Sequence, residues 1–461
     1  MLIIFRGCIM NRKGFISTAA LYSFFLVFCM LLILIMTTYT NNRVNYKSVK
    51  IDAKKWAYDN SSLKNRYFST PDNPIIIPSD GPSNPDNPSP SPEPGKPDTP
   101  VFSIEGYKTI LINNGGGNTT YDSAITYIKG KPTPTFSKVA TTNEGMFAAN
   151  DSQGTSYYFR GAVNNNWIKY GKDSSNKDIY WRIIRINGDG SIRMIYSGTT
   201  KPSEDTSVTG SNGVYMTGTG TQITVDSTNT FNFNSRYNKA EYVGYQYIEG
   251  QQHGYGKCDG TNNASCTVNG NTVYNSTIKQ TIDKWYAGTT LKDNDLIADQ
   301  IFCNDRSATT SSSGTPGEIS GSMSTSTTYY YGTYVRLVTN KSPKLTCTTA
   351  SDKFTVNTSN GTGALTYPVG LITADEVAMA GGKDGSSNST YYLYTNQYYW
   401  SGSPNYFYST YSNAIEFRVD SSGFLDAGHV YSTGGARPVI SLSSKAKLSG
   451  SGTYNDVYTV S

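Results

Sequence analysis

Alternation between apolar and polar positions is the clearest pattern in the chain, and it predicts β-strands. The segments WRIIRI (181–186) and SIRMIY (191–196) alternate in this way, and Asn-Gly-Asp-Gly joins them. Because Asn-Gly and Asp-Gly accept the positive φ angles of a tight turn, the stretch 180–198 predicts a β-hairpin. AIEFRV (414–419) and the β-branched run RPVISL (437–442) predict two further strands.

Two stretches carry helical spacing instead of alternation. In STIKQTIDKWY (276–286) the isoleucines and the tryptophan recur three to four residues apart, which is the spacing of one helix face. Thr373 and Glu376 have the spacing of a capping box, which predicts a short helix that begins at Thr373 and ends at Gly381-Gly382. Strands with a few short helices make the expected fold class α+β.

Residues 14–40 form an uncharged, mostly apolar segment that follows a basic leader at 1–13. The segment is long enough for the ~20 residues that cross a bilayer, and it predicts a single-pass membrane helix. Basic residues flank it on both sides, which leaves the orientation ambiguous. The Cys pairs and the Asn- and Tyr-rich bulk of the chain favour a C-terminal side outside the cell. Residues 41–68 are expected to form a basic membrane-proximal stalk.

The start of this segment resembles a type IV prepilin leader, in which a short basic stretch ends in Gly and Phe begins an apolar helix. The matching residues are Lys13, Gly14 and Phe15. The family normally carries Glu five residues into the mature chain, whereas this chain has Ala19 there. Two readings stay open: a plain membrane anchor, or processing between Gly14 and Phe15 with assembly into a pilus or other surface structure.

A proline-rich linker at 69–101 separates the membrane-proximal part from the rest. Eleven of the 19 prolines lie between Pro71 and Pro100. Such a segment builds no core and favours extended polyproline geometry, so at ~3.1 Å per residue it would span on the order of 90 Å. We therefore expect an extracellular head at 102–461 that is held away from the membrane.

Composition narrows the class of protein. Hydrophobic residues make up 37% of the chain and charged residues 16%, and 37 tyrosines help to fill the difference. This mix is typical of a β-rich extracellular protein. The net charge is +5, but no basic run interleaves with aromatic residues, and so no nucleic acid partner is expected. His253 and His429 are the only histidines, which leaves little imidazole chemistry.

Four of the six cysteines lie in the expected head, and four cysteines allow three disulfide connectivities. We favour Cys258–Cys266 and Cys303–Cys347, because the segment between the first two contains Asp-Gly and Asn-Asn, which turn the chain back on itself. Zinc sites of the Cys type use Cys-x-x-Cys spacing, which does not occur here, and so no metal is expected.

The C-terminal third resembles the C-type lectin-like fold. The order of motifs is a Leu-x-Thr-x-x-Glu helix start, a Trp-Ser strand, an Ala-to-Val strand and a terminal Gly-x-Arg-Pro-Val. The closest branch is the formylglycine-generating-enzyme type, which includes the variable proteins of diversity-generating retroelements and the paralogous surface domains of gut Firmicutes and Bacteroidetes. The wider stretch from SYYFRGAVNNNWIKYG (156–171) through CNDRS (303–307) resembles a family of membrane-anchored Firmicutes proteins. The resemblance covers about 364–445, and the matching residues are Leu371, Thr373, Glu376, Trp400, Ser401, Ala414, Val419, Gly435, Arg437, Pro438 and Val439.

This resemblance gives a meaning to QYYWSGSPNYFYSTYSNA (397–414), which has seven aromatic residues and no Val, Ile or Leu. In lectin-like variable proteins the corresponding segment faces the ligand. Tyrosine gives large contact area at low entropic cost, and Ser, Gly and Asn give adaptable hydrogen bonds. The alternative is that Tyr398 and Trp400 are core residues. The expected ligand-binding residues are Tyr399, Trp400, Asn405, Tyr406, Tyr408, Tyr411, His429 and Tyr431.

The function implied is that of a bacterial, adhesin-like surface protein that binds a host or neighbouring-cell protein or glycan. The enzyme branch of the fold holds copper with paired cysteines, and this chain has no Cys after Cys347, so neither an enzyme nor a cofactor is expected. The calcium-lectin motifs Glu-Pro-Asn and Trp-Asn-Asp are missing as well. The alternatives are a pilin-like structural subunit and, further off, a formylglycine-generating or hydrolytic enzyme.

Overall fold

A computed structural model of the chain describes residues 104–203, 217–258 and 264–461. The leader, apolar segment, stalk and linker expected at 1–101 lie outside the described residues, as do Gly14 and Phe15. Within the described ranges, none of the helices combines the length and the apolar character that crossing a membrane requires.

The described part is α+β, with mostly strands and a few short helices, as predicted. The helices are α1 (Gly106–Asn114), α2 (Tyr121–Gly130), α3 (Thr277–Ala287) and α4 (Ala374–Ala380). A helical turn at Gly332–Tyr334 continues as a π-helix at Val335–Thr339, and 3-10 turns lie at Thr219–Thr221, Ala350–Asp352 and Ser409–Tyr411. The strands are β1 (Asn143–Asp151), β2 (Gly154–Gly161), β3 (Trp167–Lys172), β4 (Asp178–Ile186), β5 (Ile192–Tyr196), β6 (Phe231–Asn232), β7 (Gln246–Tyr247), β8 (Ser265–Val268), β9 (Asn271–Asn275), β10 (Phe302–Cys303), β11 (Ala308–Thr309), β12 (Tyr329–Tyr331), β13 (Lys353–Phe354), β14 (Tyr399–Tyr408), β15 (Asn413–Val419), β16 (Leu425–His429), β17 (Thr433–Gly434), β18 (Val439–Leu442), β19 (Leu448–Ser449) and β20 (Tyr458–Val460).

The predicted hairpin forms the centre of an eight-stranded sheet. Strands β4 and β5 pair antiparallel from Trp181 opposite Tyr196 to Ile186 opposite Ile192. The turn closes with Gly190 at a φ of +84°, which explains why glycine is needed there. On the other side of β5 lies β18, which contains the end of the predicted RPVISL strand. Strand β4 also belongs to the row of strands β1-β2-β4-β3-β20-β19, which completes the sheet.

A second sheet of five strands has the order β11-β12-β14-β15-β16, and its pairs are all antiparallel. Its long strands β14 and β15 contain the predicted Trp-Ser and AIEFRV strands. Helix α4 contacts β2 of the first sheet and β14 and β16 of the second. One continuous hydrophobic core includes Trp181 and Ile195 from the first sheet and Trp400 and Phe417 from the second.

Local signals in the sequence place both predicted helices. Helix α3 begins after Ser276, whose side chain accepts a hydrogen bond from Lys279 N. Helix α4 has the complete capping box between Thr373 and Glu376, and it ends at Gly381 in the left-handed conformation. The capping prediction is therefore confirmed at both ends of α4.

Two disulfide bonds and a buried arginine add further links between segments of the described chain. Both predicted disulfides, Cys258–Cys266 and Cys303–Cys347, are present. Arg437 is 1% exposed, and its guanidinium donates to the carbonyl oxygens of Tyr196 at 2.9 Å and Leu393 at 3.0 Å. Because these carbonyls belong to buried backbone, this arginine has a structural role in the core.

Candidate binding surface

Side chains from four neighbouring strands form a row on one face of the five-stranded sheet. Tyr330 of β12 lies opposite Tyr406 of β14, Tyr406 opposite Ile415 of β15, and Ile415 opposite His429 of β16. Residues directly opposed across a sheet point to the same face. The row therefore brings two tyrosines and a histidine together from segments that are far apart in sequence.

Further tyrosines extend this row along the β14–β15 hairpin. The ring of Tyr406 lies 6.2 Å from that of Tyr408 and 6.2 Å from that of Tyr330, measured between centroids. Tyr330 in turn lies 4.8 Å from Tyr334, and Tyr408 lies 5.4 Å from Tyr411. The five rings thus form an unbroken series of contacts.

A second aromatic group adjoins the first one. His429 and Tyr431 stack with centroids 5.3 Å apart, and Tyr237 lies 4.9 Å from Tyr431. The carbonyl oxygen of Tyr237 accepts a hydrogen bond from Ala414 N of β15, at 2.7 Å. The two groups together are called the tyrosine surface, which consists of Tyr237, Tyr330, Tyr334, Tyr406, Tyr408, Tyr411, His429 and Tyr431.

Exposure differs across the tyrosine surface. Tyr411 is 69% exposed, and Tyr237, Tyr408 and Tyr431 also face solvent, whereas the other members are partly buried. Among the described residues, the well exposed large apolar side chains are tyrosines apart from Ile104, and four of the seven such tyrosines belong to this surface. The exposed apolar area of the tyrosine surface is therefore formed by phenol rings, each of which carries a hydroxyl group.

Local bonds hold the end of the hairpin in place. The 3-10 turn Ser409–Tyr411 leads into Ser412, which has a φ of +49°. The hydroxyl of Ser409 shares a hydrogen bond of 2.8 Å with the hydroxyl of Thr328, and Ser409 N donates to that same oxygen at 3.3 Å. These bonds tie the hairpin to the segment before β12, so the rings are positioned before any ligand arrives.

The surroundings of Tyr334, Tyr406 and His429 shift the pKa of each ring in the direction that favours its uncharged form. Burial raises the pKa of Tyr406 and that of Tyr334, and neighbouring tyrosines raise both further. Burial lowers the pKa of His429, and the charge of Arg418 lowers it further. A neutral imidazole and protonated phenols offer hydrogen bonds without requiring a charged partner.

Three of the expected binding residues are instead buried, and the prediction that they face a ligand was wrong. Tyr399 and Trp400 are 0% exposed and Asn405 is 1% exposed. The Tyr399 hydroxyl donates to Leu393 O at 3.0 Å, and Trp400 Nε1 donates to Phe231 O at 2.8 Å. The first seven residues of β14 are buried, so this half of the strand is covered on both faces.

The remaining expected residues do come together. Tyr406, Tyr408, Tyr411, His429 and Tyr431 all belong to the tyrosine surface, as the ring contacts and the strand register show. Their role in binding stays a prediction. Sequence reasoning missed three members, which lie in other segments: Tyr237, Tyr330 and Tyr334. The run TYYYGTY (328–334) could have drawn attention to the last two.

Catalytic and metal-binding arrangements are not formed around His429. Asp426, which is close in sequence, pairs with Arg418 at 2.7 Å, while the imidazole stacks on Tyr431. Over the described ranges, no group of three or more His, Cys, Asp or Glu side chains converges in a way that would hold a metal ion.

Known proteins give no family for this chain. No protein-family model, curated protein or solved structure matches it. The lectin-like assignment of 364–445 accordingly stays a prediction, and function is inferred from the residues of this chain alone.

Proposed function

We propose that this chain is an adhesin-like bacterial cell-surface protein, whose head binds a protein or glycan of a host or neighbouring cell through the tyrosine surface. The observation that carries the proposal is the series of ring contacts that ends in exposed Tyr408 and Tyr411. Clustered tyrosines supply rigid contact area at low entropic cost, and such residues dominate binding interfaces. In this proposal residues 14–40 anchor the chain in the membrane.

Binding rather than catalysis is favoured by what the surface offers chemically. Its polar groups are phenol hydroxyls, small hydroxyls such as those of Thr328 and Ser409, and the neutral imidazole of His429. Nucleophilic catalysis needs a nucleophile held against a base. The imidazole of His429 stacks on Tyr431 instead, and the groups of the tyrosine surface suit recognition.

An array of glycans and host-cell proteins, probed with the full chain, tests the proposal. We expect binding by the wild type and its loss in the double variant Tyr408→Ser/Tyr411→Ser. Because aromatic anchors contribute roughly 2 kcal/mol or more each, the pair contributes about 4 kcal/mol and affinity should fall by about 1,000-fold. Tyr127→Ser/Tyr255→Ser is the matched control, since both rings are exposed and neither contacts the tyrosine surface.

The control decides what the array result means. Binding that survives in Tyr408→Ser/Tyr411→Ser, or that falls equally in Tyr127→Ser/Tyr255→Ser, would contradict a role of the tyrosine surface. Hits confined to one class of ligand would identify that class.

A pilin-like structural subunit is the second candidate, and the Lys13-Gly14-Phe15 junction favours it. In that case the head would be carried on a filament. Electron microscopy of cells labelled with an antibody against the head separates the two cases, because a filament gives linear arrays of label and a single anchor gives scattered label.

A further inference from the structure

A cavity lined by charged side chains has no residue of the tyrosine surface in its lining, and nothing in the proposed function uses it. It has a volume of about 40 Å³, which is enough for a small polar group. Its cations are Arg185, Arg193, Arg336 and Lys344, and its carboxylates are Asp151, Asp305, Asp375 and Glu376. The cavity is called the inner chamber. Buried charges are costly, so eight around one space need an explanation.

An open cleft of about 390 Å³ adjoins the inner chamber. The cleft is called the vestibule, and Glu318, Asn340 and Thr348 contribute to its lining. Arg336 and Lys344 line both spaces and therefore stand between them. A molecule that enters the vestibule meets these two cations before it reaches the chamber.

The two inner carboxylates of the chamber are already paired with protein donors. Glu376 accepts from Arg185 Nε at 3.0 Å, and its ion pair with Arg193 measures 2.6 Å. Asp151 accepts from Arg185 Nη1 at 2.8 Å and from Gly188 N at 2.9 Å. No bound cation is therefore needed to neutralise these carboxylate oxygens.

The carboxylates nearer the vestibule are paired as well. Asp375 accepts hydrogen bonds from Arg336 Nε at 3.0 Å, from Arg336 Nη2 at 2.8 Å and from Lys344 N at 3.0 Å. Asp305 pairs with Arg336 and with the hydroxyl of Ser307. Arg336 is thereby fixed in place by two acids, and its charge is compensated.

Lys344 differs from the three arginines. Among the described residues, its Nζ hydrogen-bonds to one side chain, the hydroxyl of Thr348 at 3.3 Å. Burial lowers the pKa of the Lys344 ammonium and the charge of Arg336 lowers it further, while the charges of Asp305 and Asp375 act in the opposite direction. Because both carboxylates are already paired with Arg336, an ammonium in this position gains from a further anionic group in the space that it faces.

The backbone around the junction has features that are typical of functional sites. Arg336 lies in the π-helix Val335–Thr339, and π-helical turns often occur at such sites. At Gly332 a Cβ would lie 2.6 Å from Ser307 Oγ and 2.7 Å from Asp305 Oδ2, so a larger residue would displace side chains that hold Arg336. Cys303 and Cys347, which form a disulfide, contribute to the chamber wall.

We propose that the vestibule and the inner chamber bind a small molecule that carries an oxyanion, either a carboxylate or a phosphate, and that the ammonium of Lys344 receives this group. The site is separate from the tyrosine surface and does not depend on the adhesin function. The arginine–carboxylate pairs around it form a fixed polar wall, and the vestibule holds the remainder of the molecule.

Residue-level acylation of the full chain tests this site. The chain is treated with an amine-reactive succinimidyl ester in chloride, in inorganic phosphate and in acetate at equal ionic strength, and labelled lysines are counted by mass spectrometry. At an anion concentration about ten times the dissociation constant, labelling of Lys344 should be about tenfold slower than in chloride. The phosphate and acetate arms separate the two oxyanions.

Lys341 is the internal control. It lies three residues before Lys344, burial lowers its pKa too, and its Nζ donates to Val338 O at 2.7 Å. Labelling of Lys341 should be equal in all three salts. Unchanged labelling of Lys344, or equal slowing at both lysines as from a general salt effect, would overturn the proposal.

A second measurement uses variants. Phosphate or acetate should raise the melting temperature of the wild type and of Lys341→Met relative to chloride, and should not raise that of Lys344→Met. An anion-dependent rise that persists in Lys344→Met would count against the site. If Lys344→Met does not fold, the acylation of the wild-type chain still decides the question.

Discussion

Tyr408 and Tyr411 contact each other edge to face at the end of the β14–β15 hairpin, with ring centroids 5.4 Å apart. Both rings are exposed, and so neither supports the core. We expect Tyr408→Ser/Tyr411→Ser to change the free energy of unfolding by no more than about 1 kcal/mol, since exposed substitutions usually cost within about 0.5 kcal/mol each. Urea unfolding of the variant and the wild type checks this.

Truncation of Trp400 should have the opposite effect. Its ring is fully buried, packs 5.6 Å from Phe233 and donates to Phe231 O. Trp400→Ala should lower the free energy of unfolding by about 3–5 kcal/mol through the cavity that it leaves. If Trp400→Ala is as stable as the wild type while Tyr408→Ser/Tyr411→Ser unfolds, the assignment of core and surface on β14 is reversed.

Local elements of the fold could be predicted from the sequence because their signals are local. The Asn-Gly-Asp-Gly turn predicted the β4–β5 pair, and Thr373 with Glu376 predicted both the start and the cap of α4. The pairing of β18 with β5 and the parallel pairing of β20 with β3 join distant segments. No pattern within one segment specifies such partners, and so the sheet order could not be derived.

The surface could be predicted only in part for a related reason. The register between β14 and β15 shifts on both sides of Pro404. Each shift changes which residues of β14 point to a given face of the sheet, so a period-two pattern does not continue across it. After the shifts Tyr406 is partly buried and Tyr408 is exposed, whereas Tyr399 and Trp400 precede the shifts and are buried.

The two disulfides should differ in their contribution to stability. Cys303–Cys347 joins residues 44 positions apart, and Cys258–Cys266 joins residues eight apart. Because a longer closed loop restricts the unfolded chain more, Cys303→Ala/Cys347→Ala should cost on the order of 4 kcal/mol. Cys258→Ala/Cys266→Ala should cost less. Thermal unfolding of both variants without reductant measures the difference, and a larger loss for the shorter loop would contradict this account.

Two buried glutamates should respond to pH in opposite directions, and Glu376 is the first of them. The pKa of Glu376 is lowered, since the opposing charges of Arg193 and Arg185 outweigh the effect of its burial. Its stabilising contribution is present above the ordinary glutamate pKa of 4.5 and is lost as the pH falls through the lower folded-state value. At pH 8 Glu376→Gln should therefore cost about 3–5 kcal/mol, because it leaves buried Arg193 without its counterion, whereas Arg185 keeps Asp151.

Glu416 is the second buried glutamate, and it forms no ion pair with any of the described residues, since nearby Arg306 pairs with Asp352. Its Oε1 accepts from Gly244 N at 2.6 Å, its Oε2 has no hydrogen-bond partner within the described part of the chain, and the side chain is 0% exposed. Burial raises its pKa well above 4.5, so the folded state binds a proton that the unfolded state has released. The contribution of Glu416 is full below pH 4.5 and is lost as the pH rises through the folded-state pKa.

Replacement of Glu416 by glutamine should consequently remove the destabilisation of the folded state that the buried carboxylate causes at high pH. Over the interval between the two pKa values of Glu416, the wild type should lose about 1.4 kcal/mol per pH unit relative to Glu416→Gln. The variant should therefore be the more stable protein at pH 8, and the difference should shrink towards pH 4. Urea unfolding of the wild type, Glu416→Gln and Glu376→Gln at each pH measures these trends. If Glu416→Gln is destabilised at pH 8 like Glu376→Gln, Glu416 is a paired carboxylate in the folded protein and its neutral form has no role.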